Sequence, residues 1–351
     1  MALSDWKKTL ISNKKSMLDS MRLIDETAMQ IALVVNENNK LLGVVTDGDI
    51  RRAILAGKDV NVSVSEIMSK NPTCGSLEES RDMLVNRMRT LELHHMPIVD
   101  ENGKIVDLVM TEYKGSRTNW VVLMAGGLGS RLRPLTNDIP KPMLSIGDRP
   151  VLETIISQFH EFGFNRFFIS LNYLAEKIES HFGDGNRWGI KIDYLHENEP
   201  LGTAGALSLL EEYPKEPLIL MNGDLLTKLN FDNLMLFHEK HQAPMTVCVR
   251  EHSYSVPYGV LETEGVFLNN LEEKPEHNVL VNAGIYVIEP EVLKLIKHGQ
   301  RTDITDIINA LVKKGKKPSV FPIHEYWMDI GHPEDFDKAI FEFNEKFIKE
   351  I

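Results

Sequence analysis

Between positions 123 and 144 the chain reads LMAGGLGSRLRPLTNDIPKPML: an apolar run, glycines at Gly126, Gly127 and Gly129, two arginines, and Lys141 between prolines. Glycines let a backbone approach a ligand closely and expose consecutive amide N–H groups. Those amides, with the guanidinium of Arg131, can surround the oxygens of a triphosphate. Two commoner phosphate loops fail on spacing. G-x-G-x-x-G needs a glycine where Leu132 stands, and a Walker loop needs Lys and then Ser or Thr after its last glycine. A tight strand-to-helix turn would explain paired glycines but neither the arginines nor PKP. Farther on, LILMNGDLL is an apolar strand whose carboxyl end delivers Asp224, where α/β sheets place ligand-binding groups. Asp224 is the first candidate for a magnesium ligand. In HENEPLGTAGAL, Glu197 precedes a Gly-Thr-Ala-Gly turn that enters a helix. A carboxylate only accepts hydrogen bonds, which suits the N1–H and exocyclic amine of guanine better than the single ring donor of uracil or thymine.

The loop resembles the signature of the sugar-1-phosphate nucleotidyltransferase family, GGxGTRLxPLTxxxPKP, matched apart from Ser130, which replaces Thr and keeps the hydroxyl. The resemblance implies that Gly126, Gly127, Gly129 and Ser130 line the nucleotide. It also implies that Arg131 contacts the leaving pyrophosphate and that Lys141 neutralises phosphate charge. ExxPLGTAG looks most like the base-binding segment of the branch that makes GDP-sugars, which puts Glu197, Gly202, Thr203 and Gly205 at the nucleotide. Asp329 in YWMDIGHPEDF matches the family's W-x-D-I-G element and would complete a Mg²⁺ site with Asp224. LEEKP and VNAGIYVI match the acceptor half, so Glu273 and Lys274 would hold sugar hydroxyl and phosphate, with Asn282 and Gly284 beside the sugar.

The implied reaction is in-line attack of a sugar 1-phosphate on the α-phosphorus of a nucleoside triphosphate. GTP is the first choice, with UTP, dTTP and CTP open. Mannose, glucosamine and heptose 1-phosphates all resemble substrates of the branch, and members of this kind are associated with nonulosonic-acid and other surface-glycan precursors. A non-catalytic nucleotide-sensing scaffold would have lost a catalytic position, yet Arg131, Lys141, Asp224, Lys274 and Asp329 all remain. A transferase for phosphocholine or a pterin cofactor would share the loop but not GTAG, EEKP and NAG in series.

These residues need a sheet to position them. WVVLM opens an α/β region in which FFISL, LILM and TVCV alternate with amphipathic helical stretches such as positions 151–162, predicting a Rossmann-like, mainly parallel sheet with helices on both faces over residues 120–351. Phe336, Ile340, Phe343 and Phe347 recur at helical spacing and read as packing. A polar stretch at 111–119 marks the boundary with what precedes it. There an offset of 64 residues aligns VVNENNKLLGVV with IVDENGKIVDLV, each a strand, turn and strand. Helical stretches carrying Met17, Met21, Ile24 and Ala28, and Met83, Val85, Met88 and Leu91, precede them. The duplicated α/β unit, residues 1–60 and 61–116, resembles a tandem CBS pair, carried by GVVTDGDIRRAI. That resemblance implies an adenine nucleotide whose ribose meets Thr46 and Asp49. In the second repeat Met110 and Tyr113 stand at those places and cannot do the same. DGD at positions 47–49 follows a buried strand, which argues against a metal pair. The pair either senses a ligand or braces and dimerises the enzyme, and the motif leaves both open.

Composition bounds the rest. At 351 residues, 42% hydrophobic and 26% charged, the chain is long enough for two or three cores. Its 51 acidic and 39 basic residues give a net charge of -12, which disfavours capture of nucleic acid or an anionic membrane. There is no signal-peptide core and no apolar run of about 18 residues, so a cytoplasmic protein is expected, with a homo-oligomer as its assembly. The two cysteines, Cys74 and Cys248, have no disulfide or metal spacing, and HEKH is one residue short of a zinc helix.

Overall fold

The computed structural model describes residues 6–27, 29–91, 93–110 and 117–347. Residues 111–116, Ala28 and Tyr113 lie outside the described residues, as does the Phe347 side chain. The first repeat runs β1 (Leu10–Ser12), α1 (Met17–Thr27), β2 (Ile31–Val35), β3 (Leu41–Thr46) and α2 (Asp47–Leu55). The second runs β4 (Gly75–Ser76), α3 (Arg81–Thr90), β5 (His95–Val99) and β6 (Ile105–Met110). Each makes a three-stranded sheet. Ile31, Leu33, Val35 and Val44 of the first sheet pack on Ile105 and Leu108 of the second, so each repeat completes the other's core. On the outer side Met17 and Ile24 of α1 close the first unit, and Leu84 and Met88 of α3 close the second. The expected stripe in the second unit is therefore shifted. Met83 and Leu91 are exposed, because helical period brings Leu84 and Met88, four apart, onto the sheet.

The third body contains β7 (Arg117–Met124), the hairpin β8 (Ser145–Ile146) and β9 (Arg149–Pro150), α4 (Val151–Glu161), β10 (Phe164–Leu171), α5 (Ala175–Phe182) and β11 (Lys191–His196). It continues through α6 (Gly202–Gly205), β12 (Leu218–Asn222), β13 (Leu225–Thr227), α7 (Phe231–His241) and β14 (Met245–Ser255). Then come β15 (Gly259–Glu264), β16 (Phe267–Glu273), β17 (Glu276–Ile288), α8 (Ile304–Lys313), β18 (Ser319–Ile323), β19 (Trp327–Asp329) and α9 (Pro333–Phe347). Seven strands form one sheet in the order β11-β10-β7-β12-β17-β14-β18. Only the pairs around β17 are antiparallel, so the sheet is mainly parallel as expected.

Alternation along β7 divides the core into two layers. Val121 and Leu123 face Leu152, Ile155 and Phe159 of α4, while Val122 faces the layer holding Ile304, Ile307 and Leu311 of α8. β7 starts at Arg117, three residues before the apolar run, because polar ends of a strand can be satisfied at the sheet's rim. Arg117 pairs with Asp232 at 2.5 Å, and Asn119 donates to the Pro217 carbonyl at 2.8 Å. In α9, Phe336 and Phe343 are buried as expected, but Ala339 takes the place expected of Ile340, which is exposed. Among the described residues no helix is long and apolar enough to cross a membrane.

Candidate active site

The chain leaves β7 at Met124 and enters the glycine loop at the carboxyl edge of the sheet. Ala125 N–H donates to the Ser170 carbonyl of the neighbouring strand at 3.1 Å, fixing where the loop begins. Gly126 lies against Asn172 and Glu197, with room there for little beyond a hydrogen. Gly127 faces open space, and Gly129 adopts φ +60, the left-handed region that favours glycine. Thr136 is fully buried and closes the loop, its hydroxyl donating to the Gly129 carbonyl at 2.8 Å. Ser130 and Arg131 then sit exposed on a 3₁₀ turn, Ser130–Leu132. Among the described residues Arg131 has no ion pair, which leaves its guanidinium available to an anion.

Two carboxylates from distant parts of the chain meet beside this loop. β12 ends at Asn222, Gly223 donates to the Met124 carbonyl at 2.9 Å, and Asp224 follows. β13 pairs antiparallel with β19, bringing Leu225 opposite Asp329, while Ile330 N–H donates to the Asp224 carbonyl at 3.1 Å. The short ribbon thus sets Asp224 and Asp329 side by side. Lys141 donates to one oxygen of Asp224, and the other oxygen, Oδ1, is buried with no hydrogen-bond partner. Burial raises the Asp329 pKa, and the Asp224 charge raises it further, against smaller opposing effects of Lys141 and Arg131. An orphaned carboxylate oxygen and a second carboxylate held against it fit a divalent cation.

Glu197 lies deeper than a free reader of a base would. Ser170 donates to its Oε1, and Leu201 N–H donates to Oε2 at 2.7 Å, so both oxygens already accept one hydrogen bond. Gly202, Thr203 and Gly205 are engaged with the segment before α8. Thr203 N–H donates to Asp303 at 3.1 Å, and its hydroxyl accepts from Ile304 N–H at 2.8 Å. A Cβ on Gly202 would meet Asp303 Oδ1 at 2.6 Å and one on Gly205 would meet the Gln300 carbonyl at 3.0 Å. Their glycines are explained by that close approach.

The acceptor residues fall in two places. Asn282 and Gly284 stand at the sheet end of β17. Tyr286 and Asn282 share hydrogen bonds of 2.7 and 2.9 Å, and Gly284, at φ +71, rests on Asn222 two residues before Asp224. The Trp327 indole donates to the Ala283 carbonyl at 2.9 Å, tying this turn to the strand that carries Asp329. Glu273 instead ends β16 and Lys274 follows it in a turn at φ +49, at the far end of the arm made by β14 and β17, both exposed. From Glu276, where β17 begins just after Lys274, to Asn282 is six steps of strand, about 20 Å at a strand's rise per residue. The structure therefore brings together the loop, Lys141, Asp224, Asp329, Asn282 and Gly284, but not Glu273 and Lys274.

Residues 120–346 match the family described as Nucleotidyl transferase, and residues 11–56 and 64–112 each match the CBS domain. The chain belongs to the nucleotidyl transferase family. The mannose-1-phosphate guanylyltransferase catalytic subunit beta of Danio rerio is 32% identical over 223 residues, 61% of this chain and 62% of that protein. UTP–glucose-1-phosphate uridylyltransferase of Synechocystis sp. is 32% identical over 239 residues, 62% of each chain. HddC from Yersinia pseudotuberculosis, a solved structure, aligns with TM-score 0.51 and 30% identity over 64% of this chain and 99% of that one. The chain spans about 62% of the length of the curated relatives it matches.

In this nucleotidyl transferase the CBS residues Thr46 and Asp49 cap α2. Asp49 Oδ2 accepts from Thr46 N–H at 2.8 Å and from its hydroxyl at 2.7 Å, while Oδ1 accepts from Arg52 at 2.5 Å and Ser69 at 3.1 Å. Sequence reasoning missed Ser170, Asn222, Tyr286 and Trp327. Of these only Trp327 carried a signal, as the first letter of W-x-D-I-G.

Proposed function

We propose that the protein transfers a nucleoside monophosphate from a triphosphate, GTP in the first place, to a sugar 1-phosphate of the mannose, glucosamine or heptose type. A sugar-phosphate oxygen bonds to the α-phosphorus as the bond to the β-phosphate oxygen breaks, and pyrophosphate leaves. The nucleophile is already anionic near neutral pH, so no general base is needed. The observation that carries the reading is the ribbon of β13 and β19, which sets Asp224 and Asp329 beside Lys141 and the open glycine loop.

Mg²⁺ held by Asp224 and Asp329 would supply Lewis-acid stabilisation of phosphoryl charge. Loop amides at Gly126, Gly127 and Gly129, with the Ser130 hydroxyl, cradle the triphosphate, and Arg131 takes the leaving pyrophosphate. Lys141 holds positive charge against the transferring phosphoryl group. Glu197 keeps a lone pair on each oxygen, and we place the guanine donors there, with Gly202, Thr203 and Gly205 keeping the segment rigid. Asn282 and Gly284 flank the sugar, and Glu273 and Lys274 are assigned to its hydroxyl and phosphate on the LEEKP motif.

Guanylyltransferases among the relatives, and the structure of HddC complexed with GMP-PN at 29% identity and TM-score 0.50, support the choice of base. We further propose a cytoplasmic enzyme of surface-glycan or nonulosonic-acid precursor synthesis, with CBS units at 1–60 and 61–116 taking an adenine nucleotide near Thr46 and Asp49. Self-association through the arm is supported by Val266, Phe267 and Leu261, all exposed on β15, β16 or their turn. Pyrophosphate release across GTP, ATP, UTP, dTTP and CTP with a panel of sugar 1-phosphates tests the activity. Preference for UTP or dTTP overturns the role given to Glu197.

A further inference from the structure

A cavity of about 630 Å³ lies where the first repeat, the second repeat and helix α7 of the transferase body meet. Its wall on the transferase side includes Phe237, Lys240 and His241, so it is not a cleft of the CBS pair alone. Two carboxylates line it, and both are spent internally. Asp49 is taken by Thr46, Ser69 and Arg52; Asp47 is taken by Asn233 at 3.1 Å and His324 at 3.0 Å. Lys240 has no ion pair among the described residues, and the Arg52 side chain is 65% exposed. In a chain of net charge -12, this cavity carries on its rim one cation without an ion pair among the described residues, Lys240, beside Arg52, which is exposed but paired with Asp49, and Phe237 supplies an apolar wall. That combination suits a ligand with a flat apolar body and a phosphate.

The helix that floors the cavity is also bolted to the catalytic machinery. Arg51 of α2, its side chain 4% exposed, lies 4.0 Å above the Phe321 ring. It donates to the Pro322 carbonyl at 3.0 Å and to Glu325 at 2.6 Å. Asp47, one turn earlier, pairs with His324. These partners form the link from β18 to β19. The next residue, Tyr326, accepts from Lys228 N–H and the Thr227 hydroxyl at 2.9 Å each, and Asp329 follows at the end of β19. The ligand atoms of Asp47, His324 and Glu325 are also close enough to surround a cation. Glu325, however, is held on one oxygen by Arg51 and on the other by His324 N–H at 3.1 Å, so its carboxylate is engaged within the chain, while Asp47 Oδ1 and His324 Nε2 lie 3.0 Å apart without a hydrogen bond.

We propose that the cavity is a composite regulatory site. A phosphorylated, flat-bodied ligand binds between the first repeat and α7 with its phosphate on Lys240 and Arg52, and its occupancy reaches Asp329 through the buried pairs that α2 makes with His324 and Glu325. The inference rests on the reading that the CBS pair takes an adenine nucleotide, and it adds a transferase-side wall and a route.

The test uses the full chain with AMP and ATP as probes and reads binding, so it holds whatever the acceptor sugar is. Calorimetry measures each probe's affinity, then the affinity of GTP with Mg²⁺ in its presence and absence. Coupling between two sites must appear in both directions. Lys240→Ala is expected to weaken AMP or ATP about tenfold, one charge-assisted phosphate contact. The double variant Arg51→Met with Glu325→Gln removes the pair without burying a lone charge. It is expected to bind the probe as the parent does but to lose the probe's effect on GTP. Unchanged probe affinity in Lys240→Ala overturns the composite site, and retained coupling in the double variant overturns the route. If neither probe binds the parent chain while pyrophosphate release proceeds, the regulatory reading falls and the catalytic one stands.

Discussion

Replacing Asp224 with Asn keeps the side chain's shape and removes its charge. In the parent, one oxygen accepts from Lys141 and the other is buried without a partner. An amide can still accept from Lys141, but it turns an NH₂ group toward the place where a cation would sit. Loss of one preorganised charged group at a reacting centre costs about 10²–10³ in kcat, roughly 2.7–4 kcal/mol. A unit charge pair at 4 Å, with effective dielectric about 20, gives about 4 kcal/mol, so the two routes agree. The assay is the initial rate of pyrophosphate release at saturating GTP and sugar 1-phosphate across a Mg²⁺ titration. A second readout separates this from general damage. Asp329 is raised first by burial and then by the Asp224 charge, and it must be ionised to bind metal. Asp224→Asn removes the like charge, so the acid limb of activity should move to lower pH; damage to the fold would leave it in place. Turnover within about threefold of the parent, with an unmoved acid limb, would refute the assignment of Asp224 to the metal.

Asp329→Asn should abolish most turnover yet raise the thermal midpoint of the protein in EDTA at neutral pH. Its raised pKa means that stability is lost as pH rises from the unfolded value through the folded one, and a neutral amide escapes that loss. Gly284→Ala forces an L residue to φ +71 with Cβ 2.7 Å from Asn222 Nδ2. A left-handed cost of roughly 1–2 kcal/mol plus the clash should lower the midpoint by about 3–8 °C in a melt. Tyr286→Phe frees Asn282 and should raise KM for the sugar phosphate roughly threefold to tenfold with kcat nearly unchanged. Because burial pushes the Tyr286 phenol up to about 12, it contributes no alkaline limb below that pH.

What the sequence made legible was chemistry tied to local geometry. A strand that runs into glycines must end at the sheet's carboxyl edge, and Asp224 after LILMN follows the same rule, so both were readable from pattern. Asp329 was not, because its place depends on β19 pairing with β13 about a hundred residues earlier, and only family resemblance pointed to it. Glu197 was identified as an acceptor, but the donors that occupy it come from Ser170 on a neighbouring strand and from its own turn, contacts no spacing rule contains. Lys274 exposes the opposite limit. Motif order put it with Asn282, whereas it lies in the turn before β17, whose pairing with β14 runs from Glu276 to Asn282 along the arm, since order along a chain sets no distance.

Residues 319–329 join questions that the sequence kept apart. β18 is an edge strand, paired to β14 on one side only. An unpaired edge is a liability in water, and Pro322 blunts it by lacking an N–H to offer. The remaining carbonyl of Pro322 is capped by Arg51, so the first CBS repeat protects the edge of the transferase sheet. The contacts that do this are the same ones that would transmit a ligand's presence to Asp329, because Glu325 and His324 belong to the strand connection that leads there. Bracing and sensing, which stood as alternatives for the CBS pair, therefore require one interface. An α2 held rigidly enough to cover the edge is also held rigidly enough to pull on the ribbon that carries Asp329, since neither the Arg51–Glu325 pair nor the Asp47–His324 contact has solvent to relax into.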